Sequence, residues 1–393
     1  MKKIMILGAS EFQIPLVVQA KKMGIRTCVV DCRSTAPAVE YADDYFQCSL
    51  KDLSQIVSFA KGYLPDGATA GASDVAVPAA AEVCAALGLP GLDKEAARRA
   101  TDKYEMALAF EEAGIPHPRF VRLSSLEALG KLPRMDYPVI SKPVDMSSSK
   151  GIRVAHSEKE LLDAVTGSMR ASDSGEILLE EYMMGPEVSV EVLVLEGCPM
   201  VLQVTDKVTS GSPNFVEVGH SQPSVLPPET IEEIGRVACA AALAMGIMNG
   251  FAHAEIIVTD AGPKMVEIGA RMGGDGIQQY LISLSTGLNL QEIAIRLAFG
   301  ERVVLPVIYG GTYSAIRFIP SVPGRVVSIE GFDAAAKIDG VALARAMCSV
   351  GDEFGESQDN SCRFGYVVAR GESRDEAVQC CEEALRKIEV RVE

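Results

Sequence analysis

Two glutamates in the second half of the chain have the spacing of a paired-acid site. In HAEIIVTDAGPKMVEIGA, Glu255 lies seven residues before a predicted turn at Gly262 and Glu267 lies five after it. Residues at matching positions on two hairpin arms share a face, although a bulge or register shift would change the pairing. Two neighbouring carboxylates repel each other unless a hard cation binds them, and Mg²⁺ takes one or two carboxylates together with substrate phosphates. The pair also suits glycosidase-type acid–base chemistry, but nearby lysines and hydroxyls favour metal and phosphate.

A lysine and a hydroxyl-rich loop offer groups for a phosphate. In YPVISKPVDMSSSKGI a predicted strand leads to Lys142, and Pro143 keeps that lysine extended. The loop that follows contains Ser147, Ser148, Ser149 and Gly151. Hydroxyls and free backbone N–H groups in such a loop can cover a phosphate whose charge a lysine neutralises. The same composition also suits an ordinary turn.

An acidic stretch lies at the end of a predicted strand that begins at Ile177. In ILLEEYMMGPEVSVE, Glu180 and Glu181 end a strand, Tyr182 and Met183 follow, and Glu187 begins the next strand. A carboxylate with exposed backbone at a strand end could bind an adenine amino group, and Glu187 could hold ribose hydroxyls. A solvated acidic turn is the alternative.

An arginine in a glycine-rich turn follows Glu267. The stretch MVEIGARMGGD begins as a strand, with Val266 and Ile268 predicted on one face and Met265 and Glu267 on the other. Arg271 comes four residues after the glutamate, and Gly273, Gly274 and Gly276 let the backbone bend close to a ligand.

The elements that position these residues alternate between strand and helix, which predicts an α/β protein. Residues 1 to about 95 are predicted to form a small doubly wound domain. A helical run over 93–118, ending at Gly114 and two prolines, separates it from a strand-rich region, a helix over 228–246 and the hairpin. Another helical segment covers 277–300, and a strand-rich unit from about 304 closes with the helix SRDEAVQCCEEALRKIEV.

Charge and cysteine usage narrow the class of protein. The net charge of −16 argues against nucleic acid or an anionic membrane as a partner. The ten cysteines show no CxxC spacing, which favours reduced thiols in a cytoplasmic protein over disulfides or zinc. The apolar run at the N-terminus is about five residues, too short for a signal segment or a membrane span, and predicts a buried strand.

The first glycine turn, ILGASEFQ, does not match a dinucleotide-binding motif. Of the GxGxxG pattern only Gly8 is present, because Ser10 and Gln13 occupy the later positions. No GxxxxGK[ST] loop occurs either. We therefore expect the first domain to have structural duties.

In their order along the chain, these pieces resemble the ATP-grasp superfamily of carboxylate–amine and carboxylate–thiol ligases. The resemblance covers nearly the full length. It implies a Rossmann-like domain over residues 1–95, a two-part ATP-grasp domain over 96–304 with a lid at about 120–185, and an α+β domain over 305–393. The last of these is similar to the C-terminal domain of the biotin carboxylase-like branch.

The resemblance also implies roles for single residues. Lys103 and Lys142 would bind phosphates, residues Ser147 to Gly151 would close over ATP, Glu180 to Met183 would hold adenine, and Glu187 would hold ribose. Glu255 and Glu267 would bind Mg²⁺ or Mn²⁺, and Arg271 would hold the acyl phosphate or the substrate carboxylate. Many members of the superfamily have a metal-binding asparagine two residues after the second glutamate, where this chain has Gly269.

The segment TDKVTSGSPNFVEVGHSQPSVLP resembles the L-amino-acid ligase group, which places Glu217 and His220 near the amino-acid site and marks the Asp206–Lys207 pair. A structural histidine is an equal alternative for His220, and we expect His253 to be structural.

The implied substrates are a small carboxylate and an amine. A homodimer is the expectation from the resemblance. The alternatives are a purine-pathway enzyme acting on a ribonucleotide, for which no basic cluster is evident, a biotin-dependent carboxylase component, and a non-catalytic ATP-binding regulatory protein.

Overall fold

The computed structural model of the chain describes residues 1–132, 136–147, 149–211, 215–306, 311–355, 360 and 362–393. Ser148, one of the predicted phosphate-loop residues, lies outside the described residues. No helix in these ranges combines the length and the apolar character that crossing a membrane requires.

The first part of the chain folds into a parallel sheet with helices packed on it. Its elements are β1 (Lys3–Leu7), α1 (Ile14–Lys22), β2 (Arg26–Asp31), β3 (Asp44–Gln47), α2 (Leu53–Tyr63), β4 (Gly67–Thr69) and α3 (Val77–Leu87). The strand order β3-β2-β1-β4, all parallel, confirms the Rossmann-like prediction. Ile4 to Leu7 are fully buried, as expected for a parallel strand covered on both faces.

A side chain fills the turn that follows β1. Gly8 has φ +96°, and a Cβ added there would lie 2.6 Å from the Gln13 amide nitrogen. Gln13 Nε2 donates to the carbonyls of Leu7 and Ala70, at 2.8 and 3.2 Å. The glutamine therefore occupies the place at which a GxGxxG turn would approach a pyrophosphate.

The helical run that follows is two helices, α4 (Lys94–Arg99) and α5 (Lys103–Glu112), rather than one. The first helix ends at Arg99, and Asp102 caps the second, because its Oδ1 accepts from the backbone N–H groups of Tyr104 and Glu105. This break places Lys103 in the first turn of α5, facing the candidate site described below.

The lid is a small antiparallel sheet with one helix. Its elements are β5 (Phe120–Leu123), β6 (Val139–Pro143), β7 (Arg153–Ala155), α6 (Glu158–Ala171) and β8 (Ile177–Glu181). The strand order is β5-β8-β6-β7. Helix α6, which covers the sheet through Ala164, Val165 and Ser168, was not predicted in this strand-rich region.

The remainder forms one large antiparallel sheet and its flanking elements. The chain runs through β9 (Glu187–Leu195), β10 (Cys198–Thr209), β11 (Glu217–Gln222), α7 (Pro228–Ala244), β12 (Gly250–Thr259), β13 (Gly262–Gly269), α8 (Ile282–Thr286), α9 (Leu290–Ala298), β14 (Tyr313–Pro320), β15 (Gly324–Glu330), α10 (Phe332–Ala335), β16 (Val341–Ala346), β17 (Glu353–Phe354), β18 (Arg363–Gly371), α11 (Arg374–Leu385) and β19 (Glu389–Val392). Short 3-10 turns at Glu11–Gln13, Val39–Tyr41, Asp74–Ala76 and Leu126–Lys131, and a π-helical turn at Ile277–Leu281, complete the described elements.

The eight-stranded sheet joins the centre of the chain to its C-terminal part. Its order is β13-β12-β9-β10-β11-β14-β18-β16, and β15 pairs with β17 and β19 in a separate three-stranded sheet. The pairing of β11 with β14 crosses the predicted domain boundary at residue 304, so the two units share a sheet. The domain bounds themselves stay a prediction.

Candidate active site

The two candidate metal ligands lie directly opposite each other on the β12–β13 hairpin. The pairing is regular from the turn up to Ile256 and Met265 and then shifts by one residue, which leaves Val266 as a β-bulge. Without the bulge Glu255 would lie opposite Val266; with it, Glu255 pairs with Glu267. The unequal spacing of the two glutamates from the turn is thus what places them side by side.

The bulge also decides which residues of β13 are buried. Met265 and Ile268 are fully buried in the core, whereas Val266 is only partly buried. The prediction that Val266 and Ile268 share a face is therefore wrong, because an extra residue breaks the two-residue period of the strand.

Lys207 on β10 binds three carboxylates at once. Its Nζ lies 2.7 Å from Glu187, 3.0 Å from Glu217 and 3.0 Å from Glu255, and its side chain is 3% exposed. Burial acts to lower the pKa of Lys207, but the three carboxylates raise it well above its usual value. The charged ammonium thus connects Glu187, which is predicted to hold the ribose, with Glu217 of the predicted amino-acid site and with the candidate metal ligand Glu255.

Lys103 is the cation beside the second glutamate. Its Nζ lies 3.0 Å from Glu267 Oε2 and also donates to the Met146 carbonyl in the lid, at 2.6 Å. Burial acts to lower the pKa of Lys103, but Glu267, followed by Asp74, raises it. Lys103 therefore links the hairpin to the loop after β6.

Arg271 is held by an aspartate from the first domain. Its Nε and Nη2 donate to Asp74 Oδ1 and Oδ2, both at 2.7 Å, and its Nη1 donates to the Met272 carbonyl at 3.1 Å. This is the two-pronged geometry with which a guanidinium binds a carboxylate or a phosphate. Asp74 lies 197 positions away in sequence, in a region assigned only structural duties, and no signal in the sequence marked it.

A cavity of about 180 Å³, here called the central cavity, brings most of these groups together. Of the predicted site residues it is lined by Ser147, Glu217, Glu255, Glu267 and Arg271. Among the lining residues that were not predicted for the site, Asp74, His253, Asp275 and Asn360 bring charged or amide side chains.

The predicted adenine and phosphate groups of the lid meet in a narrower cleft. Lys142 Nζ lies 2.6 Å from Glu180 Oε2, and both side chains are nearly fully buried. This cleft, which Lys103 also lines, has a volume of about 10 Å³, barely enough to hold one water molecule. The lysine and the glutamate are therefore paired with each other here, and a nucleotide would need a wider cleft.

The remaining lid residues have different surroundings. Glu181 forms an ion pair with Lys264 at 3.1 Å, and Tyr182 and Met183 follow β8 with partly buried side chains. Ser149 has φ +61°, and Gly151 has φ +75°. A Cβ at Gly151 would lie 2.5 Å from the Ala171 Cβ. Close packing against Ala171 therefore favours glycine at this position, in addition to its predicted role in the loop.

A second charged cluster includes two residues that line the central cavity, Glu217 and Asp275. Glu217 Oε2 lies 3.2 Å from His220 Nε2, and Asp275 Oδ2 lies 3.0 Å from Arg363 Nη2. Ligand atoms of Glu217, His220 and Asp275 all lie within 4.8 Å of one another. His220 is fully buried and packs edge-on against Phe318, and its place in the amino-acid site stays a prediction.

His253, expected to be structural, contacts the metal strand and a buried acid. Its Nδ1 forms a hydrogen bond with Glu191, and its Nε2 lies 3.4 Å from Glu255 Oε1. Glu191 is fully buried and also accepts from the Gly273 backbone and from Gln278. Burial acts to lower the pKa of His253, but Glu191 raises it to about 9. His253 is therefore a cation at neutral pH.

Two family models match the central and the C-terminal part of the chain. A model described as an ATP-grasp domain matches residues 135–279, and one described as L-amino acid ligase C-terminal domain 2 matches residues 317–393. The chain belongs to the ATP-grasp superfamily. The predicted α/β ATP-grasp architecture is confirmed.

Several known proteins are similar to this ATP-grasp chain. An uncharacterised protein of Sinorhizobium fredii is 27% identical over 313 residues, covering 78% of this chain and 64% of that protein. Alanine–anticapsin ligase of Bacillus subtilis is 25% identical over 279 residues, covering 65% and 58%. Phosphoribosylamine–glycine ligase of Leifsonia xyli is 27% identical over 320 residues, covering 77% and 76%. The chain thus spans about three fifths of the length of the first two of these relatives.

Among solved structures, L-amino acid ligase from Bacillus licheniformis superposes with a TM-score of 0.88 and 22% identity, over 100% of this chain and 99% of that one. At this identity the likeness concerns the fold.

Proposed function

We propose that the chain is an ATP- and Mg²⁺-dependent ligase, which activates a carboxylate as an acyl phosphate and joins it to an amine with release of ADP and phosphate. One observation supports this most directly. The paired glutamates Glu255 and Glu267 and the two-pronged guanidinium of Arg271 line one cavity, and the lysine Lys103 lies 3.0 Å from Glu267. That combination suits phosphoryl transfer, in which the protein positions reactants and neutralises spread negative charge.

The donor set fits the cofactors that the family implies. Glu255 and Glu267 offer oxygen ligands, which Mg²⁺ and Mn²⁺ prefer. When bound, the cation would neutralise charge on the polyphosphate. Lys103 and Lys142 would hold the phosphates, with Glu180 to Met183 near the adenine and Glu187 near the ribose. Nucleotide binding would require the cleft at Lys142 to widen.

The reaction that we propose has two steps. The substrate carboxylate oxygen attacks the γ-phosphorus, the bond to the β-phosphate oxygen breaks, and ADP leaves. The amine nitrogen then attacks the acyl carbon, loses a proton, and expels phosphate. Arg271 would orient the carboxylate and then the acyl phosphate, since its guanidinium already holds a carboxylate in this way in Asp74. The loop containing Ser147 would keep water away from the acyl phosphate.

The charges of the central cavity favour an amino acid as substrate. Its described lining has five carboxylates, from Asp74, Glu217, Glu255, Glu267 and Asp275, and two cationic side chains, from Arg271 and His253. An excess of carboxylates suits a substrate that carries an ammonium group along with its carboxylate.

A purine-pathway reaction is the second candidate, supported by the similarity to phosphoribosylamine–glycine ligase over most of both chains. A ribose phosphate would need cationic partners, and the described lining of the cavity offers fewer of these than of acids. ADP release stimulated by a phosphoribosyl amine and not by amino-acid pairs would favour this candidate.

A coupled ADP-release assay across pairs of amino acids tests the proposal. We expect release that depends on both a carboxylate and an amine. Absence of stimulation by every carboxylate would contradict a ligase, and a thermal shift with Mg·ATP but no turnover would indicate a non-catalytic binding protein. A cytoplasmic location and a homodimer stay predictions.

A further inference from the structure

The hairpin has a gap in its row of side chains at Gly269. In β13, Gly269 lies two residues after Glu267, so a side chain there would project from the same face of the strand. Gly269 pairs across the hairpin with His253, and Glu267 pairs with Glu255. The side chains of His253, Glu255 and Glu267 all line the central cavity. A side chain at position 269 would therefore point into the same cavity.

The carboxylate of Asp74 fills this gap from the first domain. A Cβ built on Gly269 would lie 2.7 Å from Asp74 Oδ1, closer than real Cβ contacts allow, and 3.1 Å from Arg271 Nε. The space of a side chain at 269 is thus taken by an oxygen that comes from the 3-10 turn Asp74–Ala76. Asp74 at this place and any side chain at 269 exclude each other unless one of them moves.

The Asp74 carboxylate has the chemistry of a ligand for a hard cation. Each of its oxygens accepts one hydrogen bond from Arg271, and a carboxylate oxygen has two lone pairs, so one pair on each oxygen remains. Burial acts to raise the pKa of Asp74, but Arg271, followed by Lys103 and His253, lowers it, so the group is ionised at neutral pH. Lys103 lies 3.0 Å from Glu267, and the Asp74 carboxylate also acts to raise the pKa of this lysine.

We propose that Asp74 is a third carboxylate of the Glu255–Glu267 cation site, and that it supplies from the first domain the oxygen that the glycine at 269 cannot. This inference rests on the proposed function, which supplies the cation site itself. It gives the first domain a direct part in the site, beyond the structural duties expected of it.

The test measures Mn²⁺ binding by electron paramagnetic resonance in the presence of ADP, so that the readout does not depend on turnover. We expect Asp74→Ala to weaken Mn²⁺ binding by at least ~10-fold, as loss of a supporting group at a metal site does. The double variant Asp74→Ala/Gly269→Asn should recover most of the wild-type affinity. An amide brings an oxygen but no charge, so recovery separates coordination from a simple loss of negative charge.

Two further variants complete the design. Arg271→Ala should bind Mn²⁺ at least as tightly as the wild type, because it leaves Asp74 in place and removes a neighbouring positive charge. Asp333→Ala, an exposed aspartate on α10, should change nothing. Circular dichroism and thermal unfolding would check that each variant folds.

The outcomes separate the two proposals. A wild-type chain that binds no Mn²⁺ would contradict the cation site and with it the proposed function. A wild-type chain that binds Mn²⁺ while Asp74→Ala binds it within twofold would overturn only the role of Asp74. A double variant no tighter than Asp74→Ala, or an Arg271→Ala variant as weak as Asp74→Ala, would also overturn it, because Asp74 would then act only through charge or through Arg271.

Discussion

Lys207 is the residue on which the charge balance of the site depends most. Replacing it by methionine would leave Glu187, Glu217 and Glu255 buried without their shared cation. We expect Lys207→Met to lower the free energy of unfolding by about 3–5 kcal/mol, as breaking a buried ion pair does. Urea unfolding at neutral pH measures this. Lys159→Met, at an exposed position of α6, is the control and should change stability by less than ~0.5 kcal/mol. Equal effects of the two substitutions would contradict the role of Lys207 as the shared cation of the three buried carboxylates.

Glu267 is the residue whose substitution separates chemistry from folding. Glu267→Gln keeps the size and an oxygen that Lys103 can still approach, but it removes the charge that a cation requires. We expect ADP release to fall by roughly 100-fold or more, since one group that stabilises developing charge contributes at least that much. The unfolding temperature should change little. Glu229→Gln, on an exposed turn of α7, is the matched control, and unchanged turnover in Glu267→Gln would count against the metal assignment.

At the scale of residues, the sequence predicted pairs of groups that are close to each other along the chain. It did not predict pairs that come together only when the chain folds. The glutamate pair could be predicted because both members are on one hairpin. Asp74 could not be, since 197 positions separate it from Arg271. Arg363 similarly meets Asp275 across 88 positions. Only the packing of the domains brings such partners together.

Among the elements, the loops of the lid offer a test of packing against backbone strain. Gly151 and Gly175 both have φ +75°, where any residue with a Cβ is strained by roughly 1–2 kcal/mol. A Cβ at Gly151 would also meet Ala171 at 2.5 Å, whereas a Cβ at Gly175 would meet nothing within 4 Å. We expect Gly151→Ala to destabilise the chain by about 1–3 kcal/mol more than Gly175→Ala, the cost typical of overpacking. Denaturant unfolding of both variants measures the difference, and equal losses would mean that the loop adjusts freely around residue 151.

Strong periodicity made most elements predictable, and local geometry explains the exceptions. The hairpin, helix α7 and the strands of the large sheet follow from their apolar patterns. Helix α6 did not, because it buries few apolar side chains against the small lid sheet. The bulge at Val266 also leaves no trace in residue type, since it depends on which pairing buries Met265 and Ile268.

For the whole molecule, the eight-stranded sheet explains why units that look separate in sequence share one site. β12 and β13 bring the acids of the hairpin, β9 brings Glu187, and β18 brings Arg363 from beyond the predicted boundary at residue 304. The first domain adds Asp74 from its own parallel sheet region. A site built from three units can be completed only when all of them are packed together.

The same dependence on packing should be visible in how the stability of the molecule varies with pH. Burial acts to lower the pKa of His253, but Glu191 raises it from 6.5 to about 9 in the folded chain. A group whose folded pKa is raised contributes stability that is complete below its unfolded pKa and is lost as the pH rises through its folded pKa. We therefore expect His253 to contribute about 3 kcal/mol at pH 6 and progressively less from pH 6.5 to 9. Unfolding of the wild type and of His253→Gln across this range, without divalent cations, measures the contribution as their difference. His156→Gln, at an exposed position, is the control and should follow the wild type. A difference between wild type and His253→Gln that does not shrink towards pH 9 would show that His253 acts in the folded chain as a neutral side chain.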